Sequence, residues 1–562
     1  MIHIMASGNK ERRKMKENKN VYFDSWIKVE KKDGTIAEVS LKDIFENSQN
    51  YTGLYGEVLL QDFAVLRNPI LAIMYTAYER YDLDGKPRNG RIRREDAFKE
   101  IRLIWENGHL PVKMLTAYMD TVVDRFWLFD EKNPWMQVVE TEPTLKVNGK
   151  EHSGFARRKI KKLVGDVFES DEKRRILSYR TIQDDDTLDY KEALRWMLFL
   201  NVCDDHSYSP RGNLKNGYFS YGNFVMAKGS NLFETIMLNF NPFGRQFERV
   251  LTGNKPEWEK PVLGRSILDL PQPDNLAALM SFRFRRMRLE TNNDRVTGYK
   301  ISGHHHFDLN NFILEPHVLW KKDSKENGGY VFKKVVDQGK MWRDFSTLFL
   351  ESESQSDSIV PGVVLWIEEL KKRQIIPEHF RVVFETGSVE FGSMSCGIKN
   401  LSNDHLSIYT SLFENDKGQP VERIIHEVAS IEKLAKAAGM MEKNIALACG
   451  DRNSNNAYAR GVSDFFDRVD GPFRMWLQNI DIEREDFNDM ILELHQILYQ
   501  VTDNLIREKR YRQTPTLLIG RSVKDKGKKA AIRVSLPETI LNFQLTRKKY
   551  IGNKMQKENW NE

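Results

Sequence analysis

The chain has 562 residues, 40% of them hydrophobic, which supports real cores and, at about 150 residues per domain, two or more domains. It contains no apolar run of the roughly 18 residues that a membrane helix needs, so no membrane span is expected. A net charge of +6 from 86 basic and 80 acidic residues is too mild to demonstrate nucleic-acid binding by itself, and it shifts the weight to local clusters.

Residues 1–20 carry Lys10, Arg12, Arg13, Lys14, Lys16 and Lys19 without an apolar core, so a disordered basic extension is expected there and not a secretory signal. A β-hairpin is predicted over residues 21–50: Trp26–Val29, a Lys-Asp-Gly turn, then Ala37–Leu41. The apolar run 58–80 predicts one long buried helix, and residues 94–107 and 111–126 predict two more. Trp127, Phe129, Pro134 and Trp135 form an aromatic loop expected to pack in the core. Ser178–Asp189 is polar and acidic, with no periodicity, and precedes a predicted helix at Tyr190–Leu200. The polar, basic stretch Cys203–Tyr221 follows, and Gly217, Gly222 and Gly229 extend the loop character. A helix then starts at Leu232, with Asn231 or Ser230 as N-cap and Glu234 in capping-box position. A bare backbone at the mouth of an anchored helix can approach a polyanion closely.

Alternation of Phe282, Phe284, Met287 and Leu289 with Arg283, Arg285, Arg286 and Arg288 predicts a strand over 279–289 with one apolar and one basic face. His304, His305 and His306 follow in Tyr299–Leu309; adjacent strand residues point to opposite faces, so no metal site is expected from them. Val382–Phe384 and Ser388–Phe391 read as strand, and Gly392–Gly397 as a turn of small residues. From about residue 418, four apolar stripes at helical spacing, the last holding Ile540, Leu541, Phe543 and Leu545, predict a four-helix bundle. The fold expected is α+β: a basic extension (1–20), a mixed α/β domain (21–415) and a helical bundle (416–562). Within the bundle, Arg507, Lys509, Arg510, Lys528 and Lys529 are candidates for a basic face. Other basic clusters occur at Arg157–Lys162 and Arg547–Lys549. Cys203, Cys396 and Cys449 form no CxxC pair, which implies neither a disulfide framework nor a zinc knuckle, and a reducing, cytoplasmic compartment is expected.

Several segments in chain order resemble one family. They are Phe23–Val29, FWLFDEKNPWMQ (Phe126–Gln137), NLFETIMLNFNPFG after the glycine-bearing loop, MSFRFRRMRL (Met280–Leu289), LEPHVLW (Leu314–Trp320) and the hairpin around Phe391-Gly392. Together they resemble the large subunit of the type I-E CRISPR surveillance complex Cascade, the CasA family, over roughly residues 21–550. The resemblance implies a subunit that recognises the PAM in double-stranded DNA, promotes unwinding and R-loop formation, and recruits a trans-acting helicase-nuclease. Its implied partners are DNA (the PAM duplex and the displaced strand), the crRNA 5′ end and the other Cascade subunits; no cofactor or metal is implied. By the same resemblance, PAM contacts fall on Ser209, Pro210, Arg211, Gly212 and Asn213. The family's minor-groove lysine maps to His306, with Lys300 as a basic alternative. The duplex wedge maps to Ser393, Met394, Ser395 and Cys396, where the family's usual glutamine is missing and Met394 supplies an apolar side chain of the kind that unstacks base steps. A DNA- and crRNA-contacting loop maps to Tyr179, Arg180 and Gln183, next to three aspartates, Asp184–Asp186, that repel phosphate.

No phosphate-binding GxxxxGK[ST] loop, HExxH, GxSxG or paired-carboxylate nuclease motif occurs, so a non-catalytic subunit is expected. The alternative is a metal-dependent nuclease with a non-local active site.

Overall fold

A computed structural model of the chain describes residues 18–139, 145–147, 150–152, 156–160, 163–164, 187–203, 223–245, 247–260, 273–292, 294–302, 313–322, 330–332, 340–349, 358–391, 398–413, 419–451, 454–482, 486–510, 514–523 and 532–552. The predicted hairpin forms from Ile27–Lys31 (β1) and Ile36–Val39 (β2), antiparallel with Lys28 opposite Glu38. Gly34 closes its turn at φ 79°, a left-handed conformation that a side chain would strain. Tyr51–Leu54 (β3) pairs with the other edge of β1. The expected basic extension reaches less far than residue 20: Leu128 N–H donates to Lys19 O at 2.8 Å, and Asn20 bridges to Trp127.

The long helix predicted over 58–80 is interrupted. Leu59–Val65 (α1) runs into a wide turn, Leu66–Leu71, and the helix resumes as Ala72–Arg80 (α2). Pro69 brings no N–H and forces the residue before it out of helical geometry, and Asn68 accordingly sits at φ −138°, ψ 109°. The break has a use. It turns Arg67 fully inward, where its guanidinium donates to both carboxylate oxygens of buried Glu315 at 2.8 and 3.0 Å and to the carbonyls of Leu279 and Met280. These four hydrogen bonds compensate the burial of its charge.

Ala156–Lys159 (β4) and Leu188–Asp189 (β5) precede the helix Tyr190–Cys203 (α3), which extends three residues past its predicted end. Asn223–Lys228 (β6) leads into Leu232–Asn239 (α4). Arg286–Asn292 (β7) and Arg295–Ser302 (β8) form a hairpin, and the other edge of β8 pairs with β4 and β5. Arg381–Phe391 (β9) and Ile398–Tyr409 (β10) are neighbours in a sheet ordered β10-β9-β6. Side-chain bonds from Arg381 to Tyr409 (2.8 Å) and between Ser388 and Ser402 (2.6 Å) give the pair an antiparallel register.

Two compact units emerge. One holds Met1–Gly339, Glu351–Ile376 and Val383–His405; the other holds Lys340–Leu350, Pro377–Val382 and Leu406–Glu562. In the second, four long helices form a ring: Gln419–Ala448 (α5) packs on Ser454–Gln478 (α6), α6 on Phe487–Arg510 (α7), and Leu536–Ile551 (α8) closes on both α7 and α5. The predicted stripes line its core, from Ile424, Ile431 and Leu434 to Phe465, Phe473, Leu494 and Leu498. Of the predicted α8 stripe, however, Ile540 and Phe543 turn inward, while Leu541 and Leu545 are 54% and 56% exposed. The Lys340–Leu350 segment adds Trp342, tilted against Phe473 with ring centroids 4.5 Å apart and donating to Asp470 at 2.7 Å.

Candidate nucleic-acid interface

Residues Asn223–Lys228, expected to continue the glycine-bearing loop, are a strand. Phe224, Val225, Met226 and Ala227 are all buried, so the segment lacks the alternation that marks a half-exposed strand. β6 pairs antiparallel with β9 from Asn223 opposite Ser388 to Lys228 opposite Val383. Its other edge is held by Val225 N–H donating to His317 O at 2.7 Å. One pair in from the Asn223 end of the register Phe224 lies over Gly387, where a Cβ would meet the ring at 2.6 Å, and Phe63 stacks on Phe224 at 4.0 Å and 6°.

The turn after β6 is tied at both ends. Asn231 Oδ1 accepts the Glu234 N–H at 2.9 Å, so Asn231 is the N-cap. Glu234 reaches back to the Ser230 N–H at 2.7 Å, one residue earlier than the capping box predicts. At the helix end the Asn239 amide bonds the Ala227 backbone N–H and C=O at 3.1 and 2.6 Å.

These contacts set the surroundings of the candidate residues. Asn223, where the chain returns from the Cys203–Tyr221 segment, is opposite Ser388, three residues before β9 ends and residues 392–397 begin. The segment's start is anchored too: Asn201, near the end of α3, donates to Phe282 O at 2.9 Å and accepts the Arg285 N–H at 3.0 Å. One end is thus fastened to the lead-in of the β7–β8 hairpin and the other to the strand entering the 392–397 turn. Ser209, Pro210, Arg211, Gly212 and Asn213, the loop residues Tyr179, Arg180 and Gln183, His306, the tip Ser393, Met394, Ser395 and Cys396, and Lys528 and Lys529 lie outside the described residues.

Lys300 is described. It sits mid-strand in β8, opposite Arg288 of β7 on one side and Arg157 of β4 on the other. Opposed residues share a face, so the sheet carries a row of three cations. Glu290 moderates it, 2.6 Å from Arg157 and 3.8 Å from Lys300. The strand predicted over 279–289 starts only at Arg286, and of its four arginines only Arg288 is half-exposed. Arg283, Arg285 and Arg286 are buried, Arg283 donating to Gln137 O at 3.0 Å, and burial pushes Arg286 down to about 10.

The bundle face also needs correction. Arg507 is 69% exposed, paired with Asp503 at 2.9 Å, and Arg510 is exposed. Lys509 is buried and ion-paired with Glu442 of α5, so it belongs to the core and not to a basic face. Among the described residues no cluster of three or more His, Cys, Asp or Glu side chains is arranged to hold a metal ion. No helix of the described residues is long and apolar enough to cross a membrane.

Sequence reasoning missed two groups here. Asp62, largely buried, accepts the Gly56 N–H at 2.6 Å; burial pushes its carboxyl up to about 7, with the Gly56 N–H opposing and Glu385 adding to the rise. His317 is wholly buried against Phe63, and burial together with the Arg67 charge holds its imidazole at about 3. The Asn68-Pro69 pair within an apolar run was the only local signal of the polar centre beside it.

The family model for CRISPR-associated protein Cse1 matches residues 20–504, from the N-terminal hairpin into α7. The chain belongs to the Cse1 family. Solved structures agree in fold. Thermobifida fusca Cse1 superposes with a TM-score of 0.76 at 20% identity, covering 95% of this chain and 98% of that one. Acidimicrobium ferrooxidans Cse1 gives 0.71 at 20% identity over 95% and 98%. Thermus thermophilus CasA (Cse1) gives 0.65 at 16% identity over 95% and 99%. A chain of a CRISPR RNA-guided surveillance complex matches at 0.59 and 15% identity over 94% and 99%. Comparison with curated protein sequences gives no match. Both the CasA resemblance and the α+β fold with its C-terminal bundle are therefore borne out, and the Cse1 fold spans both compact units.

Proposed function

We propose that this Cse1 chain is the non-catalytic large subunit of a type I-E Cascade complex, bound to the other subunits and to the crRNA 5′ end. In that role it recognises the PAM, opens the duplex beside it and recruits the helicase-nuclease once an R-loop forms. The observation carrying this reading is the β6–β9 register: it brings the exit of the glycine-bearing loop beside the strand that enters the 392–397 turn. A groove reader and a wedge must act on neighbouring base pairs, so this neighbourhood suits the task. The guide RNA reads sequence by pairing, while the protein reads a short duplex flag. Ser209–Asn213 would face the PAM, Lys300 or His306 would enter the minor groove, and Ser393–Cys396 would form the wedge. A minor-groove reader sees a degenerate code, so several PAMs would be tolerated. Tyr179, Arg180 and Gln183 would meet DNA and the crRNA end, and Arg507 and Arg510 a DNA backbone.

The test is a gel shift of the chain, alone and in reconstituted crRNA complex, on duplexes differing only in the trinucleotide beside the protospacer. Trinucleotide-dependent binding is expected, with log Kd rising by about 0.9 per log unit of salt for each phosphate neutralised. R-loop formation should be lost in a Met394→Gly, Ser395→Gly double variant. Binding indifferent to the trinucleotide sinks the PAM role. Divalent-metal-dependent cleavage by the isolated chain would favour the nuclease alternative.

A further inference from the structure

A second polar site lies apart from the β6–β9 sheet. The aromatic segment predicted to be core packing does pack, with Trp135 against Phe126 (centroids 5.7 Å apart) and Trp258 (6.5 Å). It also leaves a cavity of about 20 Å³ lined by Trp135, Arg125, Asn133, Glu257, Lys260 and Arg283 among others. That exceeds the roughly 10–15 Å³ one water needs.

Two features separate this cavity from an ordinary packing defect. The first is Trp135 itself, 1% exposed, whose indole N–H has no hydrogen-bond partner. Among the described residues the other buried tryptophans all have one: Trp26 donates to Val21 O, Trp196 to Glu192, Trp258 to Tyr118, Trp320 to Glu315 O, Trp342 to Asp470, Trp366 to Met237 O and Trp476 to Met490 O. A buried donor without an acceptor is costly, so one left unmet beside a cavity marks where an acceptor fits. Met136, next in sequence, holds φ 54°, a conformation that a non-glycine residue keeps only when its surroundings impose it.

The second feature is charge. Arg125, Lys260 and Arg283 contribute three cations to the lining and Glu257 one carboxylate. Lys260 lies 2.6 Å and Arg283 3.6 Å from Glu257, which leaves the lining net positive after the pairing. Neighbouring Glu259 does not offset this, since its carboxylate is taken by Arg80 at 2.9 Å and Tyr118 at 2.6 Å. An unmet neutral donor among cations in a small, partly enclosed space selects a compact oxyanion over water or a cation. The geometry points to a binding site for a single phosphate group, with Trp135 Nε1, Lys260, Arg125 and Arg283 as its donors. The phosphate is either a free ion or a terminal phosphate of a nucleic acid. The site stands on its own residues and does not depend on the PAM reading.

Isothermal titration calorimetry of the full chain tests it, with inorganic phosphate against chloride at matched ionic strength, then with a short oligonucleotide bearing or lacking a 5′-phosphate. Saturable phosphate binding is expected, weakened about tenfold in Trp135→Phe, which keeps the ring and removes the N–H. Lys260→Gln, at a partly exposed position, should weaken it similarly and serves if the tryptophan variant does not fold. A 5′-phosphate preference identifies nucleic acid as the source; equal oligonucleotide binding with saturable inorganic phosphate identifies the free ion. No saturable binding above chloride, or unchanged affinity in both variants, overturns the site and leaves a water-filled cavity.

Discussion

At Gly387 the β9 backbone passes under the Phe224 ring, and a Cβ there would lie 2.6 Å from it, inside van der Waals contact. Phe63 stacks on the same ring at 4.0 Å, which limits how far the ring can move. Gly387→Ala should therefore cost about 1–3 kcal/mol, the usual range for overpacking a filled core. The denaturation midpoint of the full chain checks this, and an unchanged midpoint would mean that the strand can shift. Asp62, on the same sheet's helical cover, makes a pH prediction. Its carboxyl is raised from 3.8 to about 7, chiefly by burial, so between those values the folded state holds a proton that the unfolded state has lost. Stability then falls as pH rises through that window and levels off above it. Asp62→Asn keeps an acceptor for the Gly56 N–H but cannot ionise. Its melting temperature should overtake the native chain's as pH rises from 5 to 8, and parallel curves would refute the assignment.

At the scale of elements, the helix predicted over 58–80 is broken only at Pro69, whereas the strand predicted over 279–289 starts late, at Arg286. Hydrophobic periodicity reports burial, and here charged residues are buried with apolar ones. Arg67 finds Glu315, and Arg283 finds Gln137 O, from elements distant in sequence. α7 repeats the lesson in the bundle. Arg507, Lys509 and Arg510 look alike as a basic run, yet Lys509 faces α5 and pairs with Glu442. Lys509→Met should lower stability by about 3 kcal/mol, because it strips a partner from a largely buried carboxylate. Arg507→Ala should cost less than about 1 kcal/mol, since its pair with Asp503 is largely in water. Denaturation followed by far-ultraviolet circular dichroism separates the two, and equal effects would place both on the surface.

For the whole molecule, the sequence by itself determined the class of architecture. Four stripes at helical spacing made a bundle, the Lys-Asp-Gly turn made a hairpin, and the ordered segments pointed to the family that the match over residues 20–504 bears out. Such features are local: a period, a turn or a short motif needs no distant partner to be recognised. Tertiary structure alone decided which units the chain forms, drawing Lys340–Leu350 and Pro377–Val382 into the unit of the bundle. It also decided that Asn223 returns opposite Ser388, that three of the arginines in MSFRFRRMRL are buried, and that Trp135 lacks an acceptor beside a small cationic cavity. Each of these depends on which residues meet across long sequence separations. Desolvation and pairing are properties of that meeting, and neither residue type nor spacing along the chain encodes it.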